Sequence, residues 1–264
     1  MSEKRENSEK KFISSATTKR LLSDVKNIYK NPLDSQGIYY RHDENDILKG
    51  YAMVFGPEGS LYDSGAYLFE ITYPDNYPHA PPVFKFCTGD GHVRFNPNLY
   101  RNGKVCLSLL NTWRGEGWSA CQTISSVLVT LCSILTDKPL LNEPGVTEQH
   151  ADFDKYNKII TYKNYEIAIL KMIDKKSGTL PNMFKQFYDV ILENFNKNYD
   201  RLVKKISLLE EEHPKEFGVC TNLYSLSVNI NYQALLKDFK TNHAKLNKKT
   251  KTRTKTNKIL KQEN

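Results

Sequence analysis

Hydrophobic side chains recur along the first part of the chain at two spacings, one helical and one strand-like. Leu21, Val25 and Ile28 lie three and four residues apart, which predicts an amphipathic helix over residues 16–29. We expect the helix to stop before Pro32, because the residue before a proline disfavours helical dihedrals. Runs of β-branched and aromatic residues follow between turn-forming segments, and they predict an antiparallel meander of four strands at residues 38–41, 51–55, 66–73 and 83–86.

The second part of the chain is predicted to be helical beyond a long irregular segment. Residues 89–118 carry many glycines and asparagines and little periodicity, so we expect a structured loop, and loops of this length inside a domain are usually functional. Four prolines between residues 74 and 82 predict a rigid, extended approach to it. Helical spacing of apolar residues then predicts helices at residues 123–135, 151–173, 184–211 and 232–239.

The positive charge of the chain is concentrated at one end. The 264 residues carry a formal net charge of +8. Ten basic and two acidic side chains lie from Lys237 onward, so the preceding part is neutral. Such a tail is compatible with attraction to nucleic acid or acidic partners, and equally with a solubilising role. We predict a disordered N-terminus (1–15), a core domain (16–173), a helical extension (174–236) and a disordered basic tail (237–264).

Composition excludes several classes of protein. No run of 18 apolar residues is present, so we expect no membrane-spanning helix, and the polar N-terminus predicts no secretory signal. Five cysteines without CxxC spacing argue against a disulfide scaffold and a zinc cluster. We therefore expect free thiols, no metal, and a cytoplasmic or nuclear location.

One cysteine, Cys106, lies in the long loop among turn-forming residues, downstream of Asn98. A thiolate is intrinsically nucleophilic, so Cys106 is a candidate catalytic residue. The alternative is a small buried hydrophobe, which is the usual state of a free cysteine. A cysteine hydrolase would also need a positioned histidine base, and none follows Cys106 at a recognisable spacing.

The order of motifs resembles that of the ubiquitin-conjugating (UBC) enzymes over about residues 16–173. The family pattern Y-P-x-x-P-P is present, as is an N-P-N in place of H-P-N, with Asn98 eight residues before the cysteine. The pattern G-x-V-C-L then surrounds Cys106, and N-E-P closes the series. The inserted TWRGEGW is similar to the larger members, most of all the dual-specificity type that accepts ubiquitin and FAT10. The resemblance implies an α+β UBC fold with an N-terminal helix, a four-stranded antiparallel meander, an active-site loop and C-terminal helices, here with a helical extension.

The resemblance also implies a chemistry and a set of site residues. Cys106 would take ubiquitin or a ubiquitin-like modifier from an activating enzyme as a thioester and pass it to substrate lysines, directly or with a ligase, which needs an exposed thiol in a shallow groove. Asn98 would stabilise the loop and the oxyanion, with a structural turn cap as the alternative. Glu143 would orient the incoming lysine, with an ordinary surface charge as the alternative. Asn96 replaces a structural histidine of the family, and Ser108 stands where many members carry Asp.

Partner surfaces follow from the same resemblance. The first helix would meet the activating enzyme, and two loops would meet ligases. His79 and Ala120 stand where many ligase-binding members carry a large apolar residue and a proline, so we expect a restricted set of ligases or direct binding of substrates through the extension. No cofactor is expected, because ATP is used by the activating enzyme. A non-catalytic UBC-like binding module is the competing class, and Cys106 in its full motif argues against it. The partner residues are Lys19, Arg20 and Lys26 on the helix, and Pro78, His79, Pro81, Pro82, Trp118, Ser119 and Ala120 in the loops.

Overall fold

A computed structural model describes residues 13–174 and 180–260, with side chains to residue 248. It confirms the predicted four-stranded antiparallel sheet, in the order β1-β2-β3-β4. Consecutive strands are neighbours, as expected of a meander, and the central strands β2 and β3 are buried on both faces over most of their length. The strands are β1 (Ile38–His42), β2 (Lys49–Phe55), β3 (Ala66–Thr72) and β4 (Val83–Phe86).

The helices begin and end close to the predicted positions where the sequence carries a capping residue. The Ser14 side chain accepts a hydrogen bond from the Thr17 backbone at 3.0 Å and so starts the first helix. Thr123 and Ser126 form a capping box at the start of the second. Residues 1–12, most of the predicted disordered N-terminus, lie outside the described residues. The helices are α1 (Ser15–Lys30), α2 (Ile124–Ser133), α3 (Phe153–Lys163), α4 (Tyr188–Glu212) and α5 (Tyr232–Leu260).

The C-terminal region differs from the prediction in two ways. A β-hairpin, β5 (Phe217–Thr221) paired with β6 (Leu226–Ile230), lies between α4 and α5, so the extension is not purely helical. The last helix continues to Leu260, through the segment for which we predicted disorder. This segment contains no proline or glycine, and lysine is a good helix former, so its charge does not prevent a helical backbone. Residues 261–264 lie outside the described part of the chain.

The extension shares one hydrophobic core with the region around the sheet. The predicted helix 151–173 is α3 followed by a π-helical segment, Asn164–Lys171, that contacts both β3 and α5. Aromatic side chains of α4, α5 and the turn before α4 are fully buried in the same cluster as the sheet residues. Removing the extension would therefore expose a large apolar surface. The buried aromatic residues of the extension are Phe184, Phe187, Phe195 and Phe239.

Candidate active site

Cys106 immediately follows a tight turn between two short antiparallel segments, which backbone hydrogen bonds hold together. Leu99 and Val105 form an antiparallel bridge, and the Cys106 N–H donates to the Asn98 carbonyl at 2.9 Å. Gly103 closes the turn with a φ of 88°, in the left-handed region. A Cβ there would approach the Phe86 carbonyl oxygen to 3.0 Å, so glycine is required. The turn therefore fixes the backbone at Cys106 relative to Asn98.

Asn98 binds Cys106 a second time, through its side chain. Its Nδ2 donates to the Cys106 carbonyl at 2.7 Å, so the two residues are joined by reciprocal hydrogen bonds. The Asn98 side chain is almost fully buried, and its Oδ1 has no hydrogen-bond partner among the described residues. A buried polar atom left unpaired is unfavourable and calls for an explanation. These contacts provide the loop stabilisation that the sequence predicts for Asn98.

Asn96 has a structural position directly behind Asn98. Its side chain is fully buried, and its Oδ1 accepts from the Asn98 N–H at 3.0 Å. Its Nδ2 donates to the Tyr62 hydroxyl at 3.0 Å and to the Ile134 carbonyl at 2.9 Å. Asn142 donates to the same Asn96 Oδ1 at 3.3 Å. Asn96 therefore ties the cysteine loop to the end of α2 and to the segment before Glu143, with an amide where the family has an imidazole.

The thiol of Cys106 is not exposed, contrary to our expectation. The residue is 2% exposed, and its Sγ lies 2.7 Å from the Thr112 carbonyl oxygen, to which it donates. Thr112 belongs to the inserted segment after the cysteine, which folds back over it. Its hydroxyl donates to the Val105 carbonyl at 2.9 Å and lies 3.1 Å from the Leu107 carbonyl. The same hydroxyl accepts from the Leu107 N–H at 2.9 Å. Sequence motifs do not reveal this cover, because it depends on how the insertion folds.

The inserted segment is joined to the proline-rich loop by Trp118. The Trp118 indole donates to the Pro78 carbonyl at 2.7 Å, and its ring packs against Tyr77 at 6.0 Å. The Asn111 side chain accepts from the Trp118 backbone at 2.8 Å. The two predicted ligase-binding loops are therefore adjacent, with His79 and Ala120 exposed. Pro81 is partly exposed and Ser119 is exposed, whereas Pro82 is buried and shapes the loop from within.

Arg20 is part-exposed and makes contacts within the protein, beside the partner role that the resemblance implies. Its guanidinium bonds the Ala120 carbonyl at 2.6 Å and the Gln122 carbonyl at 2.8 Å. It also pairs with Asp24 at 2.9 Å, and the Asp24 carboxylate accepts from the Tyr77 hydroxyl at 2.6 Å. The sequence does not predict the contacts with Ala120 and Gln122, because backbone carbonyls are present at every position. Lys19 and Lys26 are exposed as predicted.

Glu143 is bound by a residue of the extension that sequence reasoning missed. The Tyr224 hydroxyl, at the tip of the β5–β6 hairpin, donates to Glu143 Oε2. The Tyr224 carbonyl accepts from Arg101, and its ring lies against Tyr156. Burial, with the hydrogen bond to Glu143, raises the pKa of the Tyr224 phenol, so it remains a donor at neutral pH. The alternation of apolar and polar residues across 217–230 is the signal that could have revealed the hairpin.

The other cysteines have environments unlike that of Cys106. Cys87 and Cys132 are half-buried, and burial raises the pKa of both thiols. Cys121 and Cys220 are exposed. Over residues 13–174 and 180–248, no group of three or more His, Cys, Asp or Glu side chains could hold a metal ion. In the same part of the chain, no helix is both long and apolar enough to span a membrane.

Comparison with known proteins agrees with the geometry. The model of the ubiquitin-conjugating enzyme family matches residues 20–166. The chain is 34% identical over 246 residues to ubiquitin-conjugating enzyme E2 Z of Xenopus tropicalis, covering 89% of this chain and 74% of that protein. It is 39% identical over 180 residues to human E2 Z, covering 64% of this chain and 50% of that protein. It is 43% identical over 143 residues to the human dual E2 ubiquitin-conjugating enzyme/E3 ubiquitin-protein ligase BIRC6, covering 50% of this chain and 3% of that protein.

These matches differ in how much of each relative they span. The chain extends over about half the length of human E2 Z and nearly three quarters of the frog protein. The family match covers more than half of the chain and includes the cysteine loop, the sheet and the segment carrying Glu143. On these grounds the chain belongs to the ubiquitin-conjugating enzyme family, whose members are transferases that act through a cysteine thioester.

Proposed function

We propose that Cys106 is the residue that carries the modifier, ubiquitin or a ubiquitin-like protein. Its thiolate attacks the carbonyl carbon of the modifier's C-terminal thioester on the activating enzyme, a C–S bond forms, and the activating enzyme's thiolate leaves. A lysine amine then attacks the new thioester. The C–N bond of an isopeptide forms, the C–S bond to Cys106 breaks, and the amine loses its proton to solvent.

The reciprocal hydrogen bonds between Cys106 and Asn98 are the observation that carries this assignment. They fix the Cys106 backbone at both its N–H and its carbonyl, within the segment that matches the family. A nucleophile held on a rigid turn is well oriented for attack, which lowers the entropic part of the barrier. The other described cysteines lie outside the matched motif around this turn, Cys87 and Cys132 half-buried and the remaining two exposed.

Asn98 is proposed to stabilise the oxyanion of the aminolysis step. An amide Nδ2 carries two hydrogens, and one of them is engaged with the Cys106 carbonyl at 2.7 Å. The second hydrogen is then the donor for the developing negative charge. Donors of this kind are worth about 10²–10³ in rate when they are preorganised. The purely structural role of Asn98 is the alternative, and the two roles differ in their effect on discharge of the thioester.

Access to the thiol requires the segment after Cys106 to move. At 2% exposure the Sγ cannot be reached by a protein-sized thioester, and the Thr112 carbonyl occupies one side of it. We infer that residues 111–118 open when the activating enzyme or the modifier binds, while Leu107 and Leu110 stay buried in the core. The Thr112 contacts, the Trp118 bond to Pro78 and the packing of the Trp118 ring on Tyr77 break in this movement, and the turn bearing Cys106 remains in place.

Glu143 is proposed to orient the acceptor lysine. Its loop is connected to the cysteine turn through Asn142, Asn96 and Asn98, which supports a position on the acceptor side. Its carboxylate has lone pairs for more than one donor, so a lysine ammonium can bind while the Tyr224 hydroxyl remains in place. The ordinary surface charge stays the alternative.

As a member of the family, the chain works with ubiquitin, an activating enzyme and ligases as its classes of partner. We propose that Lys19 and Lys26 on the exposed face of α1 contribute to binding the activating enzyme. The adjacent loops around Pro78 and Trp118 form the proposed ligase surface. Because His79 and Ala120 offer no large apolar anchor there, we expect pairing with a restricted set of ligases.

A thioester assay tests the proposal. The protein is mixed with activating enzyme, ATP and ubiquitin, and products are separated on a non-reducing gel. We expect an adduct that reductant removes and that Cys106→Ala abolishes, whereas the exposed-cysteine control Cys220→Ala retains it. An adduct that survives Cys106→Ala would assign the nucleophile to another residue. No adduct with any ubiquitin-like modifier would favour the binding module.

A further inference from the structure

A cationic pocket lies between the cysteine turn and the hairpin of the extension. It has a volume of about 310 Å³ and is lined by Arg94, Tyr100, Arg101, Asn102 and Tyr224. Four of these residues come from the segment around the turn that leads to Cys106, and one comes from the hairpin tip. The extension therefore supplies a wall of the pocket.

The arginine at the base of the pocket is oriented by aromatic rings. The Arg94 guanidinium carbon lies 3.8 Å from the centre of the Tyr100 ring and 4.2 Å from that of Tyr224. One of its terminal nitrogens donates to the Pro97 carbonyl, and its buried Nε has no hydrogen-bond partner among the described residues. A guanidinium held between two rings is rigid, partly desolvated and still able to donate.

The pocket carries positive charge that the described residues leave unpaired. Neither Arg94 nor Arg101 has a carboxylate at ion-pair distance in the described part of the chain. Lys104 adds a third cation, with its Nζ 5.5 Å from the centre of the Tyr100 ring. The facing carboxylate is Glu143, which accepts from the Tyr224 hydroxyl and offsets one of these three positive charges. The surface therefore favours an anionic group.

We propose that this pocket binds a carboxylate side chain of the acceptor protein, close in sequence to the lysine that is modified. This rests on the proposed function of Cys106. The two antiparallel segments rise about 3.3 Å per residue, so the hydrogen-bonded pair Tyr100 and Lys104 lies about 7 Å from the pair Asn98 and Cys106. The arginine side chains extend this distance further. An acceptor segment in an extended conformation would therefore place an acidic residue in the pocket about three or four residues from its lysine. The site thus selects acidic acceptor sequences.

Peptide binding to the 264-residue protein, with no modifier attached to Cys106, tests the pocket without any catalysis. The probe is a fluorescent peptide with one central lysine and glutamates three and four residues to either side, compared with its glutamine counterpart by fluorescence anisotropy. Arg101 is exposed, so Arg101→Glu is expected to fold, and thermal denaturation checks this. The matched control is Lys197→Glu, the same charge change on the exposed face of α4.

We expect the wild-type protein and Lys197→Glu to bind the glutamate peptide about fivefold more tightly than the glutamine peptide, and Arg101→Glu to lose that preference. Equal binding of the two peptides, or the same preference in Arg101→Glu and Lys197→Glu, would overturn the proposal. A thioester assay on the same samples reports on Cys106 separately. A protein that forms the thioester but shows no preference therefore contradicts the pocket alone, and one that shows the preference without a thioester contradicts the proposed function alone.

Discussion

The Asn98 side chain donates to Cys106 through its nitrogen, and its oxygen has no hydrogen-bond partner among the described residues, so a change from amide to carboxylate tests its role. The near-isosteric change Asn98→Asp replaces the Nδ2 that donates to the Cys106 carbonyl with an oxygen that repels it. It also removes the second amide hydrogen that we assign to the oxyanion. We expect thioester formation to persist and discharge onto free lysine to fall by about 10²–10³. Single-turnover discharge of the charged enzyme measures the effect.

The structural role of Asn98 predicts a different pattern from the catalytic one. Loss of the bond to Cys106 alone should lower the free energy of unfolding by about 1–3 kcal/mol, with discharge little changed in molecules that remain folded. The control Asn229→Asp makes the same chemical change on the exposed side of β6 and should alter neither quantity. Discharge at the wild-type rate in folded Asn98→Asp would leave Asn98 as a loop-stabilising residue only.

At the scale of elements, α4 is fixed to the loop before β3 by two part-exposed cations that bind the buried Asp63. Arg201 binds both carboxylate oxygens of Asp63, and Lys205 binds Oδ2 at 2.6 Å. Desolvation raises the pKa of Asp63, but the hydrogen bonds from these two cations outweigh it and hold the pKa below its usual 3.8. The Asp63 side chain is 5% exposed, so its carboxylate depends on both partners to remain charged.

Arg201→Met should therefore destabilise the protein by about 2 kcal/mol, because Lys205 alone must then neutralise Asp63. Chemical denaturation measures the change, and Lys197→Met on the exposed face of α4 is the control, expected within about 0.5 kcal/mol of wild type. Since the folded pKa of Asp63 is lowered, its contribution is present above about pH 4 and is lost as the pH falls further. The variant should show a weaker loss of stability in acid, and an unchanged acid dependence would contradict the assignment.

The elements that the sequence predicts well are those whose pattern is local. The helices α1 and α2 carry capping residues, and the meander strands are bounded by turn-forming residues. The spacing of apolar residues and the residues that end each element therefore indicate the same boundaries. The β5–β6 hairpin escapes prediction because its turn lacks glycine. Tyr224 and Ser225 adopt left-handed φ values of 62° and 47°, which residues with a Cβ seldom do. The tertiary contacts of Tyr224 with Arg101 and Glu143 stabilise this turn, and such contacts are invisible in a single sequence.

The candidate site also has features that local sequence patterns predict and features that they do not. Motif spacing predicts Cys106, Asn98 and the ligase loops as candidates, because the motifs that carry them are contiguous in the sequence. The cover over the thiol comes from an insertion that folds back through the Thr112 backbone carbonyl. The contact of Glu143 comes from a residue 81 positions later in the sequence. Interactions through backbone atoms or across such separations leave no periodic signature.

At the scale of the whole molecule, the sheet, α3 and the extension bury their apolar side chains in a single cluster, so we expect the UBC fold and its extension to unfold together. The chain contains 16 tyrosines, and many of them are in that cluster or at its edge. Their hydroxyls bind internal partners, for example Tyr62 to the Phe95 carbonyl at 2.6 Å and Tyr73 to Tyr40 at 2.9 Å. A phenolate at these positions would be desolvated and poorly paired.

This arrangement predicts a cooperative loss of structure in alkali. Burial raises the pKa of Tyr51 and Tyr232 to about 12, and it raises that of Tyr67, Tyr73 and Tyr156 still further from the usual 10.0. Because these folded pKa values lie above those of the unfolded chain, the stability they contribute is complete below about pH 10 and is lost as the pH rises above it. We expect the ultraviolet absorbance of phenolate to rise together with the loss of circular dichroism, as one transition. Ionisation of most tyrosines in a protein that keeps its circular dichroism would mean that their hydroxyls are accessible and that the shared core is looser than the contacts require.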